Sequence, residues 1–414
     1  MPNPINMKAA IISIGNELLL GKTINTNMAY LGSELARLGV PAEYAVTIRD
    51  DPGAISKALG EVWNKFDIVI TTGGLGPTED DLTKAAIADF YGKELHFDEE
   101  VWQHVQSLFA KRNMHTPELN RCQAMVPDGF VPLKNERGTA PGLYYRDANK
   151  LFFALQGVPL EMRYIFENHI LPIITDTVPD VKPIIQKTVH THGVSESRLA
   201  ELYKLDDLPS DVSLAWLPQT GRVDMRFYGT DEQRIEEAIC LAGEKISEYI
   251  WSVDEETPAS ALLIALHSRG YTISLAESCT GGWVSKLITD VPGASVSYNG
   301  GVVTYSNELK HSLIGVQSST LMENGAVSEE CALEMVSGIK ILTKSSHAIS
   351  VTGIAGPDGG SAEKVVGTVY FGFNAEDHYW SSKQIFTGDR DSIRLKAAEF
   401  AILELLKSLQ GRCT

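Results

Sequence analysis

Few cysteines are present for a chain of 414 residues. They are Cys122, Cys240, Cys279, Cys331 and Cys413, and no two of them form a C-x-x-C pair. An odd and widely scattered set is not typical of a disulfide-stabilised secreted domain, nor of a cysteine-rich zinc site. The sequence therefore argues against both kinds of protein.

Long hydrophobic runs are also missing. The apolar stretch at 261–266 is short and soon ends in polar residues, whereas a membrane-spanning helix requires ~18 apolar residues. The amino-terminal residues lack the basic flank and long apolar segment of a secretory signal. We therefore expect a cytoplasmic protein without a membrane partner.

Positive charge is in deficit. Lysine and arginine total 36 against 53 aspartate and glutamate residues, which gives a net charge of −17 at pH 7. An acidic chain repels phosphate backbones at long range, and no local basic run offsets this repulsion. We therefore expect no nucleic-acid partner. The hydrophobic fraction of 43% and the charged fraction of 21% are typical of a globular protein and exclude dominant disorder.

The length and the pattern of apolar residues predict more than one domain. A chain of 414 residues exceeds one ordinary hydrophobic core. Short β-branched runs at 9–14, 44–48 and 67–72 alternate with segments of helical period, which predicts a parallel sheet with crossover helices. The predicted domains are an α/β domain at 1–174, a small α+β domain at 175–253 that contains a hairpin, and a second α/β domain at 254–414.

Two glycine-rich turns follow strands of the first domain, at 15–21 and 71–81. Ligands of parallel sheets collect at the carboxyl ends of the strands. Gly73, Gly74 and Gly76 allow backbone N–H groups to approach a phosphate closely, and the next helix adds the positive end of its dipole. These turns therefore predict a phosphate-binding site, and Thr78, which follows the glycines, is a further candidate binding residue.

Acidic side chains in the same turns indicate a divalent metal ion. Asp80 and Asp81 follow the glycines, and Glu17 lies in the other turn. Because carboxylates do not bind phosphate directly, we interpret the three as ligands of a cation that also contacts the oxygens of the bound molecule. The alternative is that Thr78 and Asp81 form a capping box and that Asp80 only complements the helix dipole.

A serine in the second α/β domain has the surroundings of a nucleophile. Ser278 lies at a predicted strand-to-helix turn and is followed by small residues and two glycines, an arrangement that exposes a hydroxyl and gathers free N–H groups. Neither His267 nor His311 fits a recognisable triad pattern. Lys310, if its pKa is lowered, is the other candidate for the base. The alternatives are a helix-capping serine, a solvated lysine, and Cys279 as the nucleophile.

A third glycine-rich turn leaves another strand of this domain, at 350–361. A turn of this composition suits a phosphate or a ribose, because its glycines let the backbone approach the bound group closely. Its candidate binding residues are Thr352, Gly353, Gly356, Gly359, Gly360 and Ser361.

The middle domain offers two histidines, His190 and His192, which alternate on a predicted strand. They could suggest a metal pair, but no third ligand is evident. We therefore interpret them as half-buried strand histidines.

Four segments of the first domain resemble the amino-terminal domain of the competence/damage-inducible CinA family: GNELLLGKTINTN (15–27), TTGGLGPTEDDLT (71–83), NRCQA (120–124) and KNERGTAPG (134–142). That domain is similar to the molybdopterin-binding domains of molybdenum-cofactor biosynthesis. The resemblance implies a three-layer parallel-sheet domain that hydrolyses ADP-ribose to AMP and ribose 5-phosphate with a divalent metal ion. It adds Asn27 and Asn120 to the binding residues. Gln156 stands where the family usually has proline.

Two other functions stay open for the chain. The first domain could bind molybdopterin or transfer adenylyl groups, or the chain could bind nucleic acid as a competence factor. The segment THGVSESRLAE (191–201) resembles the family's KH-like middle domain. It lacks the G-x-x-G clamp with which KH domains hold RNA, and together with the net charge this argues against nucleic acid.

The segments SCTGG (278–282), YSNELK (305–310) and VTGIAGPDGGS (351–361) resemble the nicotinamide-nucleotide amidase domain that is fused to the end of CinA proteins. The resemblance covers about residues 255–412 and implies hydrolysis of nicotinamide mononucleotide (NMN) to nicotinate mononucleotide and ammonia, without a cofactor. The roles it implies are Ser278 as nucleophile, Lys310 as general base, Tyr305 and Thr352 as supporting groups, Arg390 and Arg394 as phosphate ligands, and Cys279, Thr280, Gly281 and Gly282 as oxyanion donors. The sequence therefore predicts a bifunctional hydrolase of pyridine-nucleotide salvage that forms a homodimer.

Overall fold

The computed structural model describes residues 7–78, 82–178, 182–254 and 257–411. The chain forms two compact units, Met1–Ile185 and Gln186–Thr414. None of the helices in the described ranges combines the length and the apolar character that a membrane crossing requires.

The first unit alternates strands and helices along the chain. Its strands are β1 (Ala9–Ile14), β2 (Ala42–Ile48), β3 (Ile68–Thr72), β4 (Leu95–Phe97), β5 (Met125–Pro127), β6 (Val131–Leu133), β7 (Gly142–Asp147) and β8 (Lys150–Leu155). Its α-helices are α1 (Asn16–Leu19), α2 (Thr26–Arg37), α3 (Pro52–Val62), α4 (Thr83–Phe90), α5 (Glu99–Lys111), α6 (Pro159–Ile165) and α7 (Leu171–Thr177). A 3₁₀ segment, Glu118–Ala124, precedes β5, and a π-helical segment, Phe166–Ile170, joins α6 to α7.

A six-stranded sheet in the order β2-β1-β3-β8-β7-β6 forms the centre of the first unit. Strands β2, β1, β3 and β8 are parallel, whereas β7 and β6 are antiparallel additions at one edge. Strand β1 is buried at every position, as expected for a parallel strand that is covered on both faces. The predicted parallel sheet with crossover helices is confirmed, with an antiparallel edge added.

Helices cover both faces of this sheet. Phe152 and Phe153 are neighbours in β8, so their side chains point to opposite faces. Phe152 packs in a cluster with Leu59 of α3 and Val105 of α5, and Phe153 packs in a second cluster with Leu35 of α2. The three-layer architecture predicted for this domain is therefore confirmed.

The second unit begins with a small α+β module and continues as a larger α/β part. Its strands are β9 (Ile185–Thr191), β10 (Val212–Gln219), β11 (Arg222–Gly229), β12 (Ile250–Val253), β13 (Ile273–Glu277), β14 (Tyr298–Val303), β15 (His347–Gly353), β16 (Thr368–Ala375) and β17 (His378–Ile385). Its α-helices are α8 (Glu196–Leu202), α9 (Glu232–Ile246), α10 (Pro258–His267), α11 (Trp283–Thr289), α12 (Asn307–Ile314), α13 (Ser318–Glu323), α14 (Glu329–Thr343) and α15 (Arg390–Leu409).

The second unit contains two sheets. The small sheet has the order β10-β11-β9-β12, and β10 and β11 form the predicted antiparallel hairpin. The larger sheet has the order β14-β13-β15-β16-β17. Strands β14, β13 and β15 are parallel, and β16 and β17 continue the sheet in antiparallel fashion. The carboxyl ends of β13, β14 and β15 consequently meet at one edge.

The two histidines of the small module pack against aromatic rings. His190 stacks on Trp251 with ring centroids 4.9 Å apart, and its Nδ1 lies 3.1 Å from a carboxylate oxygen of Asp224. The ring of His192 lies 5.8 Å from that of Phe400, and burial lowers the pKa of His192 to about 4. Within the described ranges, no three His, Cys, Asp or Glu side chains are placed to hold a metal ion.

Candidate active site

Ser278 lies at the carboxyl end of β13, in the turn that leads into α11. Its backbone N–H donates to the carbonyl of Val351 at 2.9 Å, which ties the turn to β15. Gly281 and Gly282 follow with φ values of +62° and +94°, a left-handed conformation that favours glycine over residues with a Cβ. The glycines therefore make the sharp turn between the strand and the helix.

Lys310 reaches Ser278 from α12. Its Nζ lies 3.0 Å from Ser278 Oγ and 2.7 Å from the carbonyl oxygen of Thr304. Only 1% of Lys310 is exposed, and no ion pair to it occurs in the part of the chain that the structure describes. Burial lowers the pKa of the Lys310 ammonium group, because the charged form loses hydration. This amine can accept the proton of the serine hydroxyl.

Cys279, next to Ser278, has the opposite character. Its side chain is 6% exposed, and burial raises the pKa of the Cys279 thiol to about 12. A thiol with this pKa stays protonated at neutral pH, and the thiolate is the reactive form. The geometry therefore favours Ser278 over Cys279 as the nucleophile.

The backbone N–H groups after Ser278 differ in what they bind. The N–H of Gly281 donates to the carbonyl of Ser278 at 3.0 Å, and the N–H of Gly282 donates to the carboxylate of Glu277 at 2.9 Å. Of the four predicted oxyanion donors, Gly281 and Gly282 are thus engaged within the protein. The oxyanion role predicted for the N–H groups of Cys279 and Thr280, which also interact with the Cys279 sulfur, stays a prediction.

A cavity of about 270 Å³ opens beside Ser278 and Lys310. It is lined by residues that follow the parallel strands and by the first residue of α15. The predicted site residues among them are Ser278, Cys279, Tyr305, Lys310, Thr352, Gly353, Gly356, Gly359 and Arg390. The structure thus brings together the serine turn (residues 278–282), helix α12 with Lys310, and part of the third glycine-rich turn.

The two predicted supporting groups, Thr352 and Tyr305, lie at different depths of this cavity. Thr352 is 1% exposed, and its hydroxyl donates to the carbonyl of Ala326 at 2.7 Å. Tyr305 is 60% exposed, and its hydroxyl accepts a hydrogen bond from Arg390. Thr352 therefore fixes the cavity wall, whereas Tyr305 and Arg390 stand at the mouth.

Arg394 is placed behind the serine turn. Its guanidinium donates to the carbonyl groups of Cys279 at 3.2 Å and Thr280 at 2.9 Å. The same group lies over the ring of Trp283, 4.9 Å from the centroid. Arg394 is not among the residues that line the cavity, and these contacts hold the turn after Ser278.

The end of the third glycine-rich turn also lies outside the cavity. The N–H of Ser361 donates to the carbonyl of Lys364 at 2.9 Å, and the Ser361 hydroxyl accepts from the Lys364 N–H at 3.0 Å. Gly360 packs near Val366. These residues close the loop on itself.

Three turns of the first unit meet at the carboxyl edge of its sheet. A Cβ at Gly73 would lie 2.0 Å from the carbonyl oxygen of Ile14, so only glycine fits where the β3 turn crosses the end of β1. The side-chain amide of Asn27 donates to the hydroxyl of Thr72 at 3.0 Å and to the carbonyl of Gly157 at 2.8 Å. The turns after β1, β3 and β8 are therefore held together.

The remaining predicted residues of this site take varied positions. Gly74 faces the hydroxyl of Thr83, and Gly76 is half-buried. The side chain of Asn120 is buried in the 3₁₀ segment and donates to Gln123 at 2.9 Å. The residues exposed at the surface are Glu17 and Thr78.

The predicted metal ligands Asp80 and Asp81 lie outside the described residues. Of the three predicted ligands, the structure thus describes only Glu17, an exposed residue of α1. The described residues contain no cluster of three His, Cys, Asp or Glu side chains fit for a metal ion. The described donors alone do not form a metal site.

Comparison with known proteins decides the family. A family model described as the CinA C-terminal domain matches residues 255–409, and one described as a probable molybdopterin binding domain matches residues 10–176. A competence-damage inducible protein of Caldanaerobacter subterraneus is 39% identical over 411 residues, which cover 98% of this chain and 99% of the relative. This chain belongs to the CinA family.

Other CinA proteins match in the same way. A CinA-like protein of Gemmatimonas aurantiaca is 39% identical over 414 residues, covering 97% of this chain and 96% of the relative. Among solved structures, the crystal structure of a CinA superfamily protein from Klebsiella pneumoniae is 35% identical. It covers 37% of this chain and 96% of that chain, with a TM-score of 0.37.

Gln156, at the position where the family resemblance leads us to expect proline, connects two segments of the first unit. Its side-chain amide donates to the carbonyl of Ala140 at 2.6 Å, and its own carbonyl accepts from the hydroxyl of Thr72 at 2.8 Å. A proline could make the second contact but not the first. The substitution therefore adds a link between the turn after β8 and the segment at 134–142.

Glu277 is the residue at this site that sequence reasoning missed. It ends the fully buried strand β13 and is 1% exposed. Its carboxylate accepts hydrogen bonds from the N–H groups of Gly282, Val284 and Ser285 and from the Ser285 hydroxyl. The available signal was a charged residue at the end of a buried strand, directly before Ser278.

Proposed function

We propose that the second unit hydrolyses the carboxamide of NMN to give nicotinate mononucleotide and ammonia. The observation that carries the proposal is the 3.0 Å contact between Lys310 Nζ and Ser278 Oγ. A buried amine without a paired carboxylate is a suitable base for a serine, because burial favours its neutral form. The resemblance to nicotinamide-nucleotide amidases supplies the substrate.

The reaction follows from the positions of these groups. Ser278 Oγ attacks the carboxamide carbon while neutral Lys310 takes the hydroxyl proton. The N–H groups of Cys279 and Thr280 stabilise the oxyanion of the tetrahedral intermediate. Lys310 then returns the proton to the departing amine, which leaves as ammonia, and the acyl group stays on Ser278 as an ester.

Water completes the cycle at the same groups. Lys310 takes a proton from the water that attacks the ester carbon, and a second tetrahedral intermediate forms against the same N–H groups. Its collapse releases nicotinate mononucleotide, and Lys310 returns the proton to Ser278 Oγ. Each step uses only Ser278, Lys310 and the N–H groups of the turn after Ser278.

Release of ammonia from NMN tests the proposal. We expect Ser278→Ala to abolish it in a folded protein, whereas Ser268→Ala, which removes an exposed serine at the end of α10, leaves it unchanged. The melting temperature of each variant checks the fold. Full activity of Ser278→Ala would contradict the assignment of the nucleophile.

For the first unit we propose hydrolysis of ADP-ribose to AMP and ribose 5-phosphate with a divalent metal ion. Its support is the meeting of three turns at the carboxyl ends of parallel strands, where such sheets bind ligands. The metal ion would supply a Lewis acid at the phosphate oxygens. Asn27, with the turn glycines, would position the nucleotide.

A second candidate for the first unit is molybdopterin binding. The match of residues 10–176 to a molybdopterin binding domain favours it. The absorbance spectrum of the purified protein and an assay for AMP release separate the two. A bound pterin without AMP release would favour the second candidate, and metal-dependent AMP release without a pterin would favour the first.

A further inference from the structure

Glu277 holds the first turn of α11 from outside the helix. Its Oε2 accepts from the N–H groups of Gly282 at 2.9 Å and Val284 at 3.1 Å, and its Oε1 accepts from the N–H of Ser285 at 2.8 Å and from the Ser285 hydroxyl at 2.7 Å. Four donors thus face the two oxygens of one carboxylate. A carboxylate with all its acceptor positions engaged is a structural anchor rather than a carrier of protons.

The helix needs this partner because it begins at a glycine. The N-cap of α11 is Gly282, which has no side chain to accept from the first N–H groups. The first N–H groups of any helix lack partners within the helix and require an external acceptor. A residue with a capping side chain would be strained at the φ of +94° that Gly282 adopts. Glu277 supplies the acceptor from the strand that precedes the turn.

The backbone of Glu277 connects the same residue to the base. Its carbonyl accepts from the N–H of Thr304 at 2.8 Å. The carbonyl of Thr304 in turn accepts from Lys310 Nζ at 2.7 Å. Ser278 follows Glu277 directly in the chain. Glu277 is therefore hydrogen-bonded both to α11, which follows Ser278, and to Thr304, which accepts from Lys310.

We propose that Glu277 is the positioning residue of the amidase site, and that it acts by fixing the Ser278 turn against α11. The inference rests on the proposed amidase function. Because Glu277 engages the N–H of Gly282 and of the helix residues behind it, it holds the backbone of the turn that carries Ser278, Cys279 and Thr280. The distance from Ser278 Oγ to Lys310 Nζ depends on the same anchor.

Glu277→Gln is the sharpest variant. The amide keeps the shape of the side chain but turns an NH₂ group toward N–H donors. The hydrogen bonds that one carboxylate oxygen accepts are therefore lost. We expect kcat for NMN to fall by roughly tenfold to a hundredfold, the cost of a small misplacement of reacting groups. KM is expected to change little, because Glu277 does not line the cavity. Glu308→Gln is the matched control, since Glu308 is exposed on α12.

Two further measurements separate positioning from other roles. The pH midpoint of kcat is expected to stay the same in Glu277→Gln, and Glu277→Asp, which keeps the charge, is expected to recover part of kcat. A shifted midpoint would mean that Glu277 acts through its charge on Lys310. An unchanged kcat with a lowered melting temperature would reduce Glu277 to a fold-stabilising residue. Either result overturns the proposal.

Labelling of Ser278 by a fluorophosphonate gives a readout that does not depend on NMN. We expect slower labelling in Glu277→Gln than in the wild type and in Glu308→Gln, because the probe requires an activated and aligned serine. If the wild type is labelled but releases no ammonia from NMN, the substrate is wrong while the positioning role stands. Equal labelling rates in all three proteins would overturn the positioning role itself. If Glu277→Gln does not fold, Glu277→Asp is compared in the same assay. Slower labelling then supports the positioning role, and equal labelling overturns it.

Discussion

Arg390 donates a hydrogen bond of 3.0 Å to the hydroxyl of Tyr305 at the mouth of the Ser278 cavity. The other terminal nitrogen of the same guanidinium donates to the carbonyl of Gly356. One side chain thereby joins the start of α15, the segment after β14 and the third glycine-rich turn. A guanidinium has five N–H donors, so donors remain for an anion entering the cavity.

Arg390 is therefore expected to bind the phosphate of NMN. Hydrogen bonds to charged groups contribute about 1.5–3 kcal/mol, so Arg390→Ala should raise KM for NMN by roughly tenfold to a hundredfold. Nicotinamide riboside, which lacks the phosphate, should lose little in the same variant. Steady-state kinetics with both substrates check this. An equal increase of KM for both would mean that Arg390 only supports the cavity wall.

Lys310 separates a serine–lysine hydrolase from a site in which Ser278 only caps a helix. Lys310→Arg keeps a positive charge that cannot be lost, and Lys310→Met keeps bulk without an amine. We expect both variants to lose NMN turnover by at least roughly a hundredfold, the lower range for general base catalysis. Circular dichroism and ADP-ribose hydrolysis by the same proteins check that the fold is intact. Activity in Lys310→Arg but not in Lys310→Met would mean that Lys310 binds the phosphate through its positive charge and is not the base.

The same lysine sets the direction of the pH dependence. The base must be neutral, and burial lowers the pKa of Lys310 from its ordinary value. Activity should therefore rise as the pH increases toward this pKa and level off above it, with a midpoint below the ordinary lysine value of about 10.4. The pH profile of kcat/KM for NMN measures the midpoint. A profile that falls with rising pH over this range would exclude Lys310 as the base.

The local sequence pattern predicts the turns, but it does not predict contacts between residues that are far apart in the chain. The position of Ser278 between a strand and a helix is visible in the residues around it. The contact of Arg394 with Thr280 joins residues 114 positions apart, and it depends on how α15 packs against the serine turn. The resemblance implied a phosphate ligand at Arg394, and the structure shows its guanidinium on the backbone carbonyls of Cys279 and Thr280.

Strand β17 is an element of the fold that the sequence pattern does not predict. Apolar, β-branched runs identified β1, β3, β13 and β15, which are buried at nearly every position. Strand β17 has the sequence HYWSSKQI and forms the edge of its sheet. An edge strand retains polar residues because one side of its backbone has no neighbour, so its hydrophobic signal is weak.

Cys279 should be dispensable for chemistry. Its thiol has a pKa raised to about 12 by burial, so the thiolate is scarce at neutral pH. We expect Cys279→Ala to keep NMN deamidation within about threefold of the wild type, because only a small cavity is left behind. Ammonia release by Cys279→Ala and Ser278→Ala, measured side by side, checks this. Loss of activity in the cysteine variant alone would reverse the two roles.

The two proposed activities should be separable by mutation, because their predicted site residues belong to different compact units. We expect Asp80→Ala combined with Asp81→Ala to abolish metal-dependent hydrolysis of ADP-ribose while NMN deamidation stays nearly intact. The physical reason is that these carboxylates are proposed as hard oxygen ligands of the divalent ion, and alanine offers no donor. Asp89→Ala, which removes an exposed carboxylate of α4, is the matched control. Release of AMP and of ammonia is measured on each protein in the presence of Mg²⁺ or Mn²⁺.

The pattern of losses decides what the aspartates do. Loss of AMP release alone, with Asp89→Ala unaffected, supports the metal role. Equal loss of both activities would indicate a defect of the whole fold or a shared site, and a lowered melting temperature distinguishes the former. Retained ADP-ribose hydrolysis in the double variant would clear Asp80 and Asp81 of the metal role and leave them only a favourable charge before the amino terminus of α4.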